Sequence, residues 1–93
     1  MNIRRYMELI ARIGYTGSPL KNLETELSQE WGVSVKTIWY YINQLKKEGL
    51  VRYRRDWRRG PIWIVPTPQL KELVAELEKG WNPEYLRRYV RQG

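Results

Sequence analysis

The chain of 93 residues contains no cysteine and no histidine. It can therefore form no disulfide, no zinc finger, no histidine-based catalytic triad and few transition-metal sites. A cysteine-free composition suits an intracellular, cytoplasmic location. No apolar run approaches the ~20 residues that a membrane-spanning helix needs. The opening residues, Met1 to Glu8, carry Arg4 and Arg5 where a secretory signal needs an unbroken hydrophobic stretch, so no signal peptide is expected. Internal repeats, low-complexity segments and flexible linkers are also missing. Gly14-x-x-Gly17 lacks the spacing of a phosphate-binding loop and the lysine-serine that follows one. Glu24, Glu26, Glu72, Glu76 and Glu78 lie among helical lysines and read as solvated faces. A tyrosine nucleophile would need an acid–base set that is missing without histidine. No enzyme, cofactor, metal or small-molecule ligand is expected.

Acid is in short supply. Asp and Glu number 10 against 17 Lys and Arg, a formal charge of +7 and a pI near 9.9. A basic domain of this kind favours a polyanionic partner, most often nucleic acid. A membrane surface fits less well, because the basic groups gather around an aromatic hairpin instead of along one helix face. The length allows one domain with one modest core. The lack of cysteine, with many Arg, Glu and Trp, leans towards a thermophilic source, archaeal or viral.

The apolar periodicity predicts a mainly helical chain in the order α-α-α-β-β-α-α. Asn2 caps a first helix over residues 3–13, with Ile3, Tyr6, Met7, Ile10 and Ile13 on one face. Gly14 to Gly17 end it. Ser18-Pro19 reads as an N-cap and first helical residue for a second helix to about Glu30, striped by Leu20, Leu23, Leu27 and Trp31. Gly32 breaks it, and Ser34 caps a third helix over 35–48 whose core side is Ile38, Tyr41, Ile42 and Leu45. Gly49 stops that helix. Strands follow at Leu50–Tyr53 and Ile62–Val65. Thr67-Pro68 opens a fourth helix carrying Leu70, Leu73, Val74 and Leu77, ended by Gly80. Asn82-Pro83 starts a short fifth helix with Leu86, Tyr89 and Val90. Residues 1–93 form one domain, with 18–66 as its centre and 1–17 and 67–93 as flanking helices.

Two segments carry the functional signal. In Ser28-Gln-Glu-Trp-Gly32-Val-Ser-Val-Lys-Thr-Ile38, a small residue, a glycine four later and a branched apolar residue six after that form the helix-turn-helix pattern. The small residue lets two helices approach, the glycine makes the turn and the isoleucine pins the second helix. Two ordinary packed helices with a glycine cap would match equally well on this pattern alone. Downstream, Leu50–Pro66 holds Arg52, Arg54, Arg55, Arg58 and Arg59 between two β-type runs, against the single acid Asp56. So many guanidinium groups cannot be buried unpaired. They must face solvent or a polyanion, and their forks match phosphate oxygens.

Leu20 to Thr67 resembles the winged helix-turn-helix of transcription regulators of the MarR, PadR and ArsR kinds. The resemblance rests on Leu27-Ser28, Trp31 to Ser34, Ile38, Ile42, Leu45, Lys47 to Val51, the arginine-rich tip and Ile64 to Pro68. Pro66 replaces the usual leucine. The resemblance implies a homodimer that binds double-stranded DNA sequence-specifically and regulates transcription, with the third helix in the major groove. It implies contacts from Ser34, Val35, Lys36, Thr37, Trp39, Tyr40, Asn43 and Lys47. Ser34, Thr37 and the helix N-terminal amides suit phosphate oxygens. Asn43 suits an adenine edge and Val35 a thymine methyl. The wing arginines Arg52, Arg54, Arg55, Arg58 and Arg59, with Trp57, would straddle the backbone or enter the minor groove.

The aromatics divide by position. Trp31, Tyr41 and Trp81 are expected to pack, and Trp63 to line the wing's inner face. Trp39 or Tyr40 faces the sugar-phosphate chain or lies under a neighbouring helix. Gly60-Pro-Ile-Trp63 is similar to the Pro-x-Trp of winged helices that bind left-handed DNA. The asparagine and tyrosine that read DNA in that family would fall at Trp39 and Asn43, which do not match, so that activity is not expected. Leu70, Leu73, Val74, Leu77, Leu86, Tyr89 and Val90 offer more apolar surface than a small core needs and are expected to form the dimer interface, the alternative being that they cover their own protomer. Two other classes stay open: a winged helix that docks a protein partner, and a non-specific architectural DNA- or RNA-binding protein.

Overall fold

The computed structural model describes residues 2–79, with side chains to residue 76. Its elements are α1 (Ile3–Ile13), β1 (Ser18–Pro19), α2 (Leu20–Trp31), α3 (Val35–Lys47), β2 (Val51–Arg54), β3 (Trp63–Pro66) and α4 (Pro68–Lys79). The expected fifth helix, Trp81, Leu86, Tyr89 and Val90 lie outside the described residues, as does the Leu77 side chain.

Local signals place the helix ends. The Asn2 side chain accepts from the amides of Arg4 and Arg5, satisfying two donors that the first turn of α1 leaves free. Gly32 adopts left-handed geometry with φ of 64°, and the amides of Gly32 and Val33 both donate to the Ser28 carbonyl. Ser34 occupies the cap position of α3, but its side chain makes no capping bond. Thr67 does cap α4. Its hydroxyl accepts from the Leu70 amide and donates to the Gly49 carbonyl at 2.7 Å, tying α4 to the end of α3.

Ser18-Pro19 departs from expectation. It is a strand, and α2 begins one residue later, with Pro19 at the cap position. The sheet therefore has three strands in the order β1-β3-β2, all antiparallel. Pro19 sits on the edge strand, where a missing N–H costs least, and proline biases Ser18 towards extended geometry. Gly17 makes the pairing possible. A Cβ there would lie 2.7 Å from the Ile64 carbonyl oxygen, and its φ is +89°. The Leu20 amide extends the pairing by donating to the Ile62 carbonyl. β2 and β3 each lie one residue later than expected, and Pro66 completes β3 opposite Val51.

Among the described residues, one core joins the four helices to the sheet. Tyr6, Leu9, Ile10, Leu27, Ile38, Ile42, Leu45, Leu50 and Ile64 are fully buried. Leu70, Leu73 and Val74 belong to the same core. This corrects their assignment to a dimer interface: they are buried in the protomer's own core, where α4 packs on α1 and β3. Trp31 is a rim residue, not a core one. It is half-buried, meets Tyr41 edge-to-face and donates from Nε1 to Glu8. Tyr6 carries a hydroxyl with no partner among the described residues. Burial first, then the charge of Glu48, pushes its pKa well above the usual tyrosine value.

Candidate nucleic-acid interface

The core residues of α3 define its buried side, and 3.6-residue periodicity then sets the opposite pole. That pole is Lys36, Tyr40, Asn43 and Lys47, all exposed. Ser34 and Val35 are exposed at the helix start, and Thr37 is half-buried on its flank. Tyr40 stands edge-to-face on Tyr41 at 5.6 Å, which braces the exposed ring from below. Tyr40, Asn43, Gln44, Lys46 and Lys47 line a shallow open groove along the C-terminal half of the helix.

Trp39 is not on this pole. It is half-buried against the core and donates from Nε1 to Glu24 of α2 at 2.8 Å. The bond fastens α3 to α2, so the indole lies under a neighbouring helix, and Tyr40 alone of the pair faces outward. Glu24 is accordingly a partner and not part of a solvated face. Glu26 and Glu30 also have a partner, since Arg12 of α1 pairs with both. These bonds hold the acidic side chains of α2 in contacts with α1 and Trp39.

The wing presents its charge differently at each arginine. Arg54 is spoken for, with Asp56 at 3.3 Å and the Trp63 ring beneath its guanidinium at 5.7 Å. Arg55 donates to the Arg58 carbonyl and closes the tip. Arg52, Arg58 and Arg59 are exposed and make no hydrogen bond or ion pair among the described residues. Trp57 is also exposed. Trp63 is half-buried beside Arg54, on the strand face opposite the fully buried Ile64, so it does not line the wing's inner face as expected: alternation along β3 turns Ile64 inward and Trp63 outward.

Tyr53 links the wing to α3, and the sequence did not single it out. Its hydroxyl donates to the Asn43 side-chain oxygen at 3.4 Å, and the Lys46 ammonium sits 4.5 Å over its ring. Partial burial raises its pKa. The only hint was alternation: Tyr53 stands between Arg52 and Arg54, so it must leave the strand on the other face.

Residues 25–52 match the model of a winged helix-turn-helix DNA-binding family. The chain has a winged helix fold. The match runs from the middle of α2 to the start of β2. It covers the turn and α3 and stops before the wing tip, so the match supports DNA as partner through that segment and does not reach the wing arginines beyond Arg52. Nothing among curated proteins or among solved structures matches this winged helix. Among its described residues no helix is long and apolar enough to cross a membrane, and no group of acidic side chains is arranged to hold a metal ion.

Proposed function

We propose that this winged helix binds duplex DNA sequence-specifically and regulates transcription, with α3 in the major groove and the wing on the adjacent backbone or minor groove. The observation that carries the proposal is the contact between Tyr53 and Asn43. It ties β2 to the exposed side of α3, where Lys36 and Lys47 stand, and Arg52 next to Tyr53 is exposed as well. Such a surface matches a groove flanked by phosphates. In this reading Asn43 meets base edges and the lysines and arginines meet phosphate.

Selection of bound sites from a random duplex pool tests the proposal. A defined motif is expected, and Asn43→Ala should lose about 1–3 kcal/mol on that motif with little effect on unrelated duplex. Equal loss on both would remove Asn43 from base readout. A pool with no enriched motif would instead favour an architectural role.

Assembly as a homodimer belongs to the same proposal. With Leu70, Leu73 and Val74 buried in the protomer, the interface falls to Leu77, Leu86, Tyr89 and Val90. A palindromic motif with half-sites about one helical turn apart would support it. Sedimentation equilibrium should show a dimer that Leu86→Asp dissociates, because each protomer would bury an unpaired carboxylate. A wild-type chain that stays monomeric at roughly tens of micromolar, weaker than ordinary functional dimers, would end the dimer claim alone.

A further inference from the structure

Trp57 is the most exposed large hydrophobic side chain among the described residues, at 63%, while Gly60 three residues on is buried. The two facts have one cause. A Cβ added to Gly60 would lie 2.8 Å from Nε1, 2.9 Å from Cε2 and 3.0 Å from Cδ1 of the Trp57 ring. Near-equal distances to three bonded ring atoms put that point above the ring plane, not at its edge. The Gly60 backbone therefore covers one face of the indole. The Gly60 amide donates to the Trp57 carbonyl at 2.9 Å and closes the same turn. What stays open is the opposite face and the ring edge.

We propose that Trp57 is a stacking platform for an unpaired nucleobase, with Arg58 and Arg59 beside it to meet the flanking phosphates. An indole laid flat on backbone and open on its outer face packs nothing within the protein. Its neighbours Arg58 and Arg59 have no partner among the described residues, and the Arg55 bond to the Arg58 carbonyl stiffens the turn. Stacking on an aromatic ring is tolerant of base identity, because every base has a π-face. In an intact duplex both faces of an internal base are already covered. A bulged or extruded base offers a free face, and that is the ligand this platform fits. The inference rests on the DNA-binding reading above but concerns a different part of the surface.

Fluorescence anisotropy with the full chain decides it, using one duplex and the same duplex with a single bulged 2-aminopurine. Wild type is expected to bind the bulged form about tenfold tighter, within the range that base–aromatic stacking supplies. Binding should also quench the 2-aminopurine emission. Trp57→Ala should bring the ratio of the two affinities close to one and remove the quenching, while Trp57→Phe keeps part of both. Gly60→Ala should behave as Trp57→Ala does, because its Cβ displaces the ring. Equal affinity of wild type for the two DNAs, or quenching that survives in Trp57→Ala, would overturn the platform and leave duplex binding standing. Binding to neither DNA would overturn both readings.

Discussion

Salt dependence is the sharpest test of whether the basic surface is the contact surface. Of the cations on α3 and the wing, Lys36, Lys47, Arg52, Arg58 and Arg59 have no partner within the described residues, whereas Arg54 is held by Asp56 and Arg55 by a carbonyl. If each free cation displaces one counterion, a protomer meets about five phosphates, and log K should fall against log salt with a slope near −4.5. Two protomers side by side would give a slope near −9. Between about 50 and 200 mM salt, the single protomer would lose roughly 500-fold in affinity. Anisotropy titrations across a salt series give the slope directly. Replacing Arg58 and Arg59 together by Ala should flatten it by about 1.8 per protomer, on specific and random duplex alike. A wild-type slope shallower than about −2, or no change in the double variant, would refute the assignment of the wing to DNA.

Four further outcomes follow from the core and the sheet. Tyr6→Phe removes a buried hydroxyl without a partner and should stabilise the fold by about 1 kcal/mol in chemical denaturation; a clear loss would mean the hydroxyl is satisfied. The raised folded-state pKa of Tyr6 makes the wild type lose stability as pH rises past the unfolded value near 10, because only the unfolded chain readily releases the proton; Tyr6→Phe should flatten that decline. Leu73→Ala should cost about 2–5 kcal/mol at every protein concentration, since Leu73 is buried within the protomer; a cost that vanished on dilution would place it between protomers. Gly17→Ala should destabilise by about 1–3 kcal/mol, combining a left-handed φ with a clash on the Ile64 carbonyl, and a neutral result in thermal melts would show that β1 is dispensable.

The local features of this protein were legible in its residues. Apolar spacing defined α1 to within its ends, and Asn2, Gly32 and Thr67 stand where they cap or turn the chain, because capping and periodicity depend on neighbours a few positions away. The Ser28, Gly32 and Ile38 pattern located the helix-turn-helix for the same reason. The arginine tip identified itself, since that density of charge cannot be buried. What only the tertiary structure decided was partnership. An apolar stripe says that a face is covered but not by what, so Leu70, Leu73 and Val74 fitted a dimer until the packing of α4 on α1 and β3 closed over them. Ser18-Pro19 looks like a helix start in isolation and becomes a strand because Gly17 lets the chain run against Ile64. Trp39 and Tyr40 are adjacent and both aromatic, yet the bond to Glu24, distant in sequence, turns one inward and leaves the other outside. Tyr53 joins wing and helix only because the hairpin folds back beside Asn43, a contact that no local pattern encodes.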